Sequence, residues 1–270
     1  MKRRFLLGVV ALLSTVLLWL TVAKQGERTL KIGIPDGAAG LLARYILDEN
    51  LGRKGVHAVR FSPYTLYDCC GSAAQYAMGS GDLDMAIVCP DAARELVEKD
   101  RSFEIVGPVM MNSDILIYRG DGDVSHPQIA VSQKRAFQRK IVRKRFGTAG
   151  RPVPMFHGAV PFAFARKVVE GAVVDITRVF ALAGNLTSAS MDGEDVCTYM
   201  LVAKKYIQES VSFHEFITSY GRAVREMDDA ANLLELMRTY VSADSTMRDV
   251  RKWKKMNVRF TCPSNFHQRE

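Results

Sequence analysis

The side chains best suited to chemistry in this chain are sulfurs. Cys69 and Cys70 stand together in the run Asp68-Cys-Cys-Gly71, directly before a stretch at 72–78 that reads as a helix. The positive end of a helix dipole lowers a thiol's pKa and favours thiolate at such a place. Cys89 closes a short apolar run at 85–88, ahead of Pro90 and Asp91. If the three sulfurs met in one crevice, they would hold a soft metal, a metalloid or a thiol compound better than a carboxylate or sulfate. Cys69, Cys70 and Cys89 are therefore the candidate metal set. The plainer reading is that Cys69 or Cys89 is a small buried core residue. Dithiol redox chemistry fits poorly, because adjacent cysteines close only a strained ring and lack CxxC spacing. Cys197, inside a strand, and Cys262, near the end, read as core positions. Among the histidines, His157 at a turn is a candidate contact, whereas His57, His126, His214 and His267 show no ligand spacing.

What must position these groups is a series of strand-to-helix turns. The stretch Gly81-Asp-Leu-Asp-Met-Ala-Ile-Val-Cys-Pro-Asp-Ala-Ala93 reads as a glycine-marked helix end, a buried strand, a proline stop and a new helix opened by Asp91. In an open α/β sheet such a junction is where ligands sit, since unpaired helix N–H groups face the crevice. An ordinary turn with Asp91 as N-cap explains the same residues. Strands are expected at 29–34, 56–61, 85–88, 103–110 and 114–118. Helices are expected at 38–50, 72–78 and 91–98. A second unit repeats the layout: a strand at 128–131, a helix at 133–146, a strand at 152–156, a helix at 160–170 and a strand at 173–176. A strand at 198–203 returns to the first unit, and amphipathic helices follow at 212–227 and 231–240. Strands alternating with helices argue for mainly parallel sheets. The fold class is α/β: two Rossmann-like lobes joined by crossing hinge strands, with residues 29–112 and 200–270 in one lobe and 113–199 in the other.

A solute held between two such lobes is lined by the carboxyl ends of strands from both. In the first lobe these are Asp36 and Gly37, then Tyr67, Asp68, Cys69, Cys70 and Gly71, then Cys89, Pro90 and Asp91. In the second they are His157 and Gly158, with Asn185 further out. Asn112, beside the hinge, adds a polar contact. The basic run Lys134, Arg135, Arg139, Lys140, Arg143, Lys144 and Arg145 reads as a solvated helix face, with attraction to anionic lipid as the functional alternative.

Composition narrows the class. A hydrophobic fraction of 48% with 24% charged residues describes a globular chain rather than a disordered one. The formal charge of +8 falls to +5 once Lys2, Arg3 and Arg4 are set aside. Without a recognisable motif, that surplus does not point to nucleic acid. Five cysteines match neither a disulfide framework nor paired zinc spacings. The amino terminus is Met-Lys-Arg-Arg followed by an uncharged apolar run at 5–23. Residues 1–28 therefore read as a signal peptide or a membrane anchor. Cleavage after Ala23 and retention as a span are both open, and either way residues from about 24 onward lie outside the cytoplasm.

The chain resembles the type II periplasmic solute-binding proteins of ABC transporters, in the branch of sulfonate-, nitrate- and thiamine-precursor-binding families. The likeness rests on Leu30-Lys-Ile-Gly-Ile-Pro35 as the first strand and on Ala77-Met-Gly-Ser-Gly-Asp-Leu-Asp-Met-Ala86 as the glycine–aspartate turn into the third. It rests also on Lys167-Val-Val-Glu-Gly-Ala-Val-Val-Asp-Ile176 as that turn's counterpart in the second lobe, and on 197–205 as the returning strand. The Asp68–Gly71 turn is similar to a sub-branch, sometimes made as selenoproteins, called SaoB. The resemblance implies a non-catalytic receptor outside the cytoplasm that captures a small ligand, which the cysteines would make thiophilic or related to sulfur or selenium. It implies no cofactor, and an ABC permease and ATPase as partners. The membrane joins them if the amino-terminal segment is uncleaved. The competing readings are a thiamine-pyrimidine-synthase-like enzyme, a thiol redox protein or an anchored sensor on the same fold.

Overall fold

The computed structural model describes residues 29–52, 61–67, 72–120, 125–190 and 193–263. The first half alternates as expected. Strand β1 (Leu30–Pro35) leads into α1 (Ala38–Gly52), β2 (Phe61–Leu66), α2 (Ser72–Gly79), β3 (Met85–Val88), α3 (Pro90–Lys99) and β4 (Phe103–Met111). A short crossing through Asn112 and Ser113 opens the second unit. That unit comprises β5 (Asp114–Tyr118), β6 (Gln128–Ser132), α4 (Ala136–Phe146), β7 (Arg151–Met155), α5 (Val160–Ala165), β8 (Gly171–Asp175), α6 (Ile176–Val179) and β9 (Asn185–Ser188). The chain then returns through β10 (Cys197–Lys204) to α7 (Val211–Glu226), α8 (Ala230–Tyr240), α9 (Met247–Lys255) and β11 (Arg259–Phe260).

Two sheets result. The first has the order β11-β4-β10-β3-β1-β2 and the second β7-β6-β8-β5-β9. Each is mixed rather than mainly parallel. In the first, β1 runs parallel to β2 and β3, but β10 is antiparallel to both β3 and β4. In the second, β6 is parallel to β7 and β8 while β5 is antiparallel to β8 and β9. The strands that cross the hinge are the antiparallel ones: a chain that leaves one sheet and must later return enters the other against its neighbours. Strands β4 and β5, adjacent in sequence, thus lie in different sheets. The return strand begins at Cys197, just ahead of the boundary at 200 suggested by the sequence.

Strand β2 spans Phe61–Leu66 and so meets the strand expected at 56–61 only at Phe61; the rest of that stretch lies outside the described residues. The helix expected at 160–170 stops at Ala165, and Lys167 takes a left-handed φ of 60° that turns the chain into β8. Strand β9, helix α9 and strand β11 were not legible, being short or strongly charged.

The carboxy-terminal helices are amphipathic pieces with defined starts. Ser210 caps α7 by accepting from the Phe213 N–H, and Phe213, Phe216, Tyr220 and Ala223 recur at helical spacing on its buried face. Thr246 and Asp249 form a capping box on α9, whose Val250 and Trp253 are buried. Helix α1 packs on β1, α7 and α8. The principal apolar core runs unbroken through the hinge, from Ile32 and Ile87 in one lobe to Ile117, Phe164 and Val174 in the other. A smaller cluster around Leu116, Val131, Ile141 and Val173 fills the second lobe beneath α4.

The aspartate of the glycine–aspartate turn has a structural task. Asp84 is buried and accepts from the Lys31 N–H at 3.1 Å and the Tyr206 hydroxyl at 2.9 Å, pinning β1 and the end of β10 to the start of β3.

Candidate functional site

The first site element is the turn between β1 and α1. Pro35 ends the strand, and Asp36 and Gly37 lead to Ala38, the first residue of α1. The N–H of Ala38 donates to Oδ1 of Asp175, 3.1 Å away in the opposite lobe. Gly37 permits that approach, since a Cβ there would stand 2.8 Å from Oδ2 of Asp175. Asp175 ends β8 and caps α6: its Oδ1 also accepts from the Thr177 N–H at 3.0 Å and the Thr177 hydroxyl at 2.7 Å. Burial pushes the Asp175 carboxyl up, against the bonds from Thr177 and Ala38 that favour the charged form. Its other oxygen, Oδ2, is buried and has no hydrogen-bond partner among the described residues.

The mirror arrangement lies at the turn between β3 and α3. Cys89, not Asp91, occupies the N-cap position, and Pro90 takes the first turn. Asp91 turns its carboxylate outward to the other lobe, where Oδ2 accepts from the N–H of Ala136, the first residue of α4, at 2.9 Å. Arg94 donates to its Oδ1 at 2.7 Å. Helix starts in each lobe are therefore capped by a carboxylate from the other. The sequence led us to expect unpaired helix N–H groups facing an empty crevice; the protein's own aspartates hold Ala38 and Ala136 instead. At the rim, Arg178 of the second lobe donates to Asp36 of the first at 3.0 Å.

Beneath these turns lies a buried ion pair. Arg135 donates to Asp114 Oδ1 at 2.7 Å and to the Thr198 carbonyl on β10 at 2.9 Å, and its guanidinium lies 4.7 Å from the Tyr199 ring centroid. Gln138 also donates to Asp114, at 3.2 Å. Burial pushes the carboxyl of Asp114 up, while Arg135 and the Gln138 amide pull it down. Arg135 was expected on a solvated basic face; it is 2% exposed because it opens α4 where the helix meets the first sheet. The other basic residues of that run, Lys134, Lys140, Arg143, Lys144 and Arg145, are exposed, with Arg139 half-buried.

The remaining expected residues divide. Asp36, His157 and Gly158 line a cavity of about 660 Å³ between the lobes, together with Asp175, Arg178 and the segment from Tyr240 to Asp249. His157 Nδ1 lies 2.8 Å from the Ser132 hydroxyl at the end of β6. Gly37, Cys89, Pro90 and Asp91 lie at the interlobe turns but not on that cavity's wall. Cys89 is buried, and the Cys197 thiol is pushed up to about 12, chiefly by burial. Tyr67 is exposed at the end of β2. Asp68, Cys69, Cys70 and Gly71 lie outside the described residues. Among those described, no cluster of three or more His, Cys, Asp or Glu could hold a metal ion.

Asn112 departs from its expected role as a ligand contact. It is fully buried at a left-handed φ of 60° and its amide is engaged within the hinge. Nδ2 donates to Asp195 at 3.1 Å and to the Asn257 carbonyl at 2.9 Å, and Oδ1 accepts from the Val196 N–H at 2.8 Å. It fastens the crossing strands to each other. Asn185 sits on β9 and donates to the Gly120 carbonyl. Sequence reading missed Asp175, Asp114 and Arg178. Asp175 was within reach of the strand-end rule, but the strand was read one residue too long, which placed the carboxylate inside it.

No protein-family model matches the chain, and no curated protein does. Solved structures do. One is the ligand-binding component of an ABC-type import system from Staphylococcus aureus with zinc bound, at a TM-score of 0.68 and 11% identity over 87% of this chain and 86% of that one. Another is the alkanesulfonate-binding protein SsuA from Xanthomonas axonopodis pv. citri bound to MOPS, at 0.63 and 12% over 86% of each. A third is the methionine-binding protein MetQ, at 0.59 and 14% over 80% of this chain and 96% of that one. The chain has their two-lobed periplasmic-binding-protein fold.

Proposed function

We propose that this protein is the extracytoplasmic solute-binding component of an ABC importer. It captures a small ligand between its lobes and presents the closed form to a permease and its ATPase. One observation carries this reading: carboxyl ends of strands and starts of helices from both lobes face one another, beside a cavity lined by residues of both. Asp175–Ala38, Asp91–Ala136 and Asp36–Arg178 bridge the gap. Contacts of this kind break and re-form when two lobes part and close about a hinge. The similar structures support it, since each is described as a binding protein or binding component rather than an enzyme. Their ligands differ, so the fold does not choose this one's.

The enzymatic alternative finds less support. The serine–histidine pair Ser132 and His157 would be its natural centre, but Ser132 is 2% exposed and does not offer a hydroxyl to a substrate. The apolar segment at 5–23 supplies export or anchoring in this reading. Residues 1–28 lie outside the described residues, among which no helix is long and apolar enough to cross a membrane.

The test is a thermal-shift screen of a few hundred small solutes (cations, anions, amino acids, sulfur compounds and metals) on the full chain, with small-angle scattering of any positive. A solute that raises the melting temperature and changes the radius of gyration supports a receptor. A screen without a single response, or turnover of a solute that binds, sinks it. Including Cys70→Ser alongside the unaltered chain tests the sulfur site, and equal shifts in both remove that idea.

A further inference from the structure

We infer that the exposed face of α4 seats the second lobe on an anionic lipid bilayer, whatever solute the cavity takes. Residues 124–169 hold ten Lys or Arg and no Asp or Glu, in a chain whose formal charge is +8, so the rest of the chain is net acidic. Of those ten only Arg135 is buried, against Asp114. Along α4, Gln138, Ile141 and Val142 are buried on the side that faces the sheet. Arg139, Lys140, Arg143 and Lys144 therefore share the opposite side, at helical spacing. Lys134, Lys140 and Arg143 make no ion pair among the described residues.

The fold gains little from this arrangement. Arg139 with Arg143, and Lys140 with Lys144, are like charges four residues apart, a spacing at which repulsion weakens a helix. The negative end of the helix dipole accounts for Arg143, Lys144 and Arg145 in the last turn, but not for Arg139 and Lys140 a turn earlier. Helix α9 is basic too, yet Asp249 stands within it 3.7 Å from Lys252, and its Lys254 donates to the Asp228 carbonyl. Cations spread along one helix face attract a layer of negative headgroups, each Lys or Arg near the surface counting for about fivefold in the equilibrium. The bilayer, rather than an acidic protein, is the partner within reach. Only residues 24–28 separate the apolar run at 5–23 from the first described residue, a span of about 20 Å at most. A folded unit of about 240 residues has a radius of gyration of about 18 Å, so a retained run of that kind lets the second lobe lie down on the surface that holds the first.

The experiment adds the full chain to preformed vesicles, either of phosphatidylcholine alone or of equal parts phosphatidylcholine and phosphatidylglycerol. A membrane-impermeant acylating reagent then modifies the lysines, and peptide mass spectrometry follows the rate at each. The apolar run takes the chain to both kinds of vesicle, so the difference between them reads the folded part. On the anionic vesicles Lys134 and Lys140 should react at least about fivefold more slowly than on phosphatidylcholine, while Lys205 and Lys255 of the first lobe keep their rates. Sodium chloride at about 0.5 M shortens the screening length to about 4 Å and should abolish the protection. Lys140→Gln with Arg143→Gln removes two exposed cations and should return Lys134 to nearly its rate on phosphatidylcholine, at about fivefold per residue. If that variant does not fold, as judged by circular dichroism, the lipid and salt arms on the unaltered chain decide the matter. Equal rates on the two vesicles overturn the inference, as does equal slowing of Lys255, which would place the contact elsewhere. Protection by inorganic phosphate without anionic lipid overturns the bilayer in favour of a free anion. Protection by polyglutamate but not by phosphatidylglycerol overturns it in favour of an acidic protein. None of these outcomes bears on whether the cavity binds a solute, which the thermal-shift screen reads separately.

Discussion

Replacing Arg135 by methionine should cost this protein a large share of its stability. In the folded chain the guanidinium and the Asp114 carboxylate are 3% and 2% exposed and 2.7 Å apart, so removing the cation leaves a buried carboxylate whose one remaining donor among the described residues is Gln138. Breaking a buried pair from one side costs about 3–5 kcal/mol, against about 5–15 kcal/mol for the stability of a whole domain. With a urea slope of about 2–3 kcal/mol per molar, the midpoint should fall by roughly 1–2.5 M. The loss should also acquire a sign in pH. Without Arg135, burial outweighs the Gln138 amide at Asp114 and holds its folded pKa further above the unfolded value of about 3.9. The variant is then least handicapped below that value and loses stability as pH rises through the folded pKa. Arg135→Met with Asp114→Leu removes both charges and should recover part of the loss. It remains about 1–3 kcal/mol below the parent, because the Thr198 carbonyl loses the Arg135 donor. The assay is urea unfolding followed by tryptophan fluorescence and circular dichroism at several pH values. A double variant no more stable than the single one, or a deficit that does not grow with pH, would refute the reasoning.

Three further outcomes follow from the same geometry. Gly37→Ala puts a Cβ 2.8 Å from Asp175 Oδ2, an overpacking of about 1–3 kcal/mol, so the lobes should separate in the absence of ligand; an unchanged radius of gyration in small-angle scattering contradicts this. Cys197, with its thiol pushed up to about 12, should be alkylated by iodoacetamide at pH 8 at well under a tenth of the rate of an exposed cysteine, as peptide mass spectrometry would show. Asp195 is held below the usual carboxylate range chiefly by Arg259, with help from Asn112 and Asn257. Its contribution is thus present above about pH 3.9 and lost as pH falls through the lowered folded value. Asp195→Asn should flatten that acid limb of the urea midpoint, and an unaltered limb counts against the assignment.

Much of the architecture was legible because it is written in local terms. The alternation of β-branched runs with amphipathic stretches, and the small residues at Gly37, Gly81 and Gly171, mark strand, turn and helix without knowledge of any partner. The same local signals placed Asp36, Gly37, Cys89, Pro90, Asp91, His157 and Gly158 at the ends of strands. They did not separate cavity from contact, since that depends on which surface each turn meets after the lobes fold together. Lys134 and Arg135 are neighbours in one basic run, yet the first is exposed and the second is buried against Asp114. Asn112 had the type and place of a ligand contact, and its amide is engaged with Asp195, Asn257 and Val196 from distant parts of the chain.

By itself, then, the sequence determined two α/β units of similar layout, a chain that leaves the first and comes back to it, and the rim of turns between them. The tertiary structure alone decided that Asp91 caps α4 of the other lobe, that Asp175 caps α1 in return, and that one oxygen of Asp175 has no hydrogen-bond partner among the described residues. The reason is one of range. Periodicity and turn chemistry act within about ten residues, whereas the partner of a carboxylate 137 positions away is chosen only when both sheets are built and their twist brings two helix starts face to face.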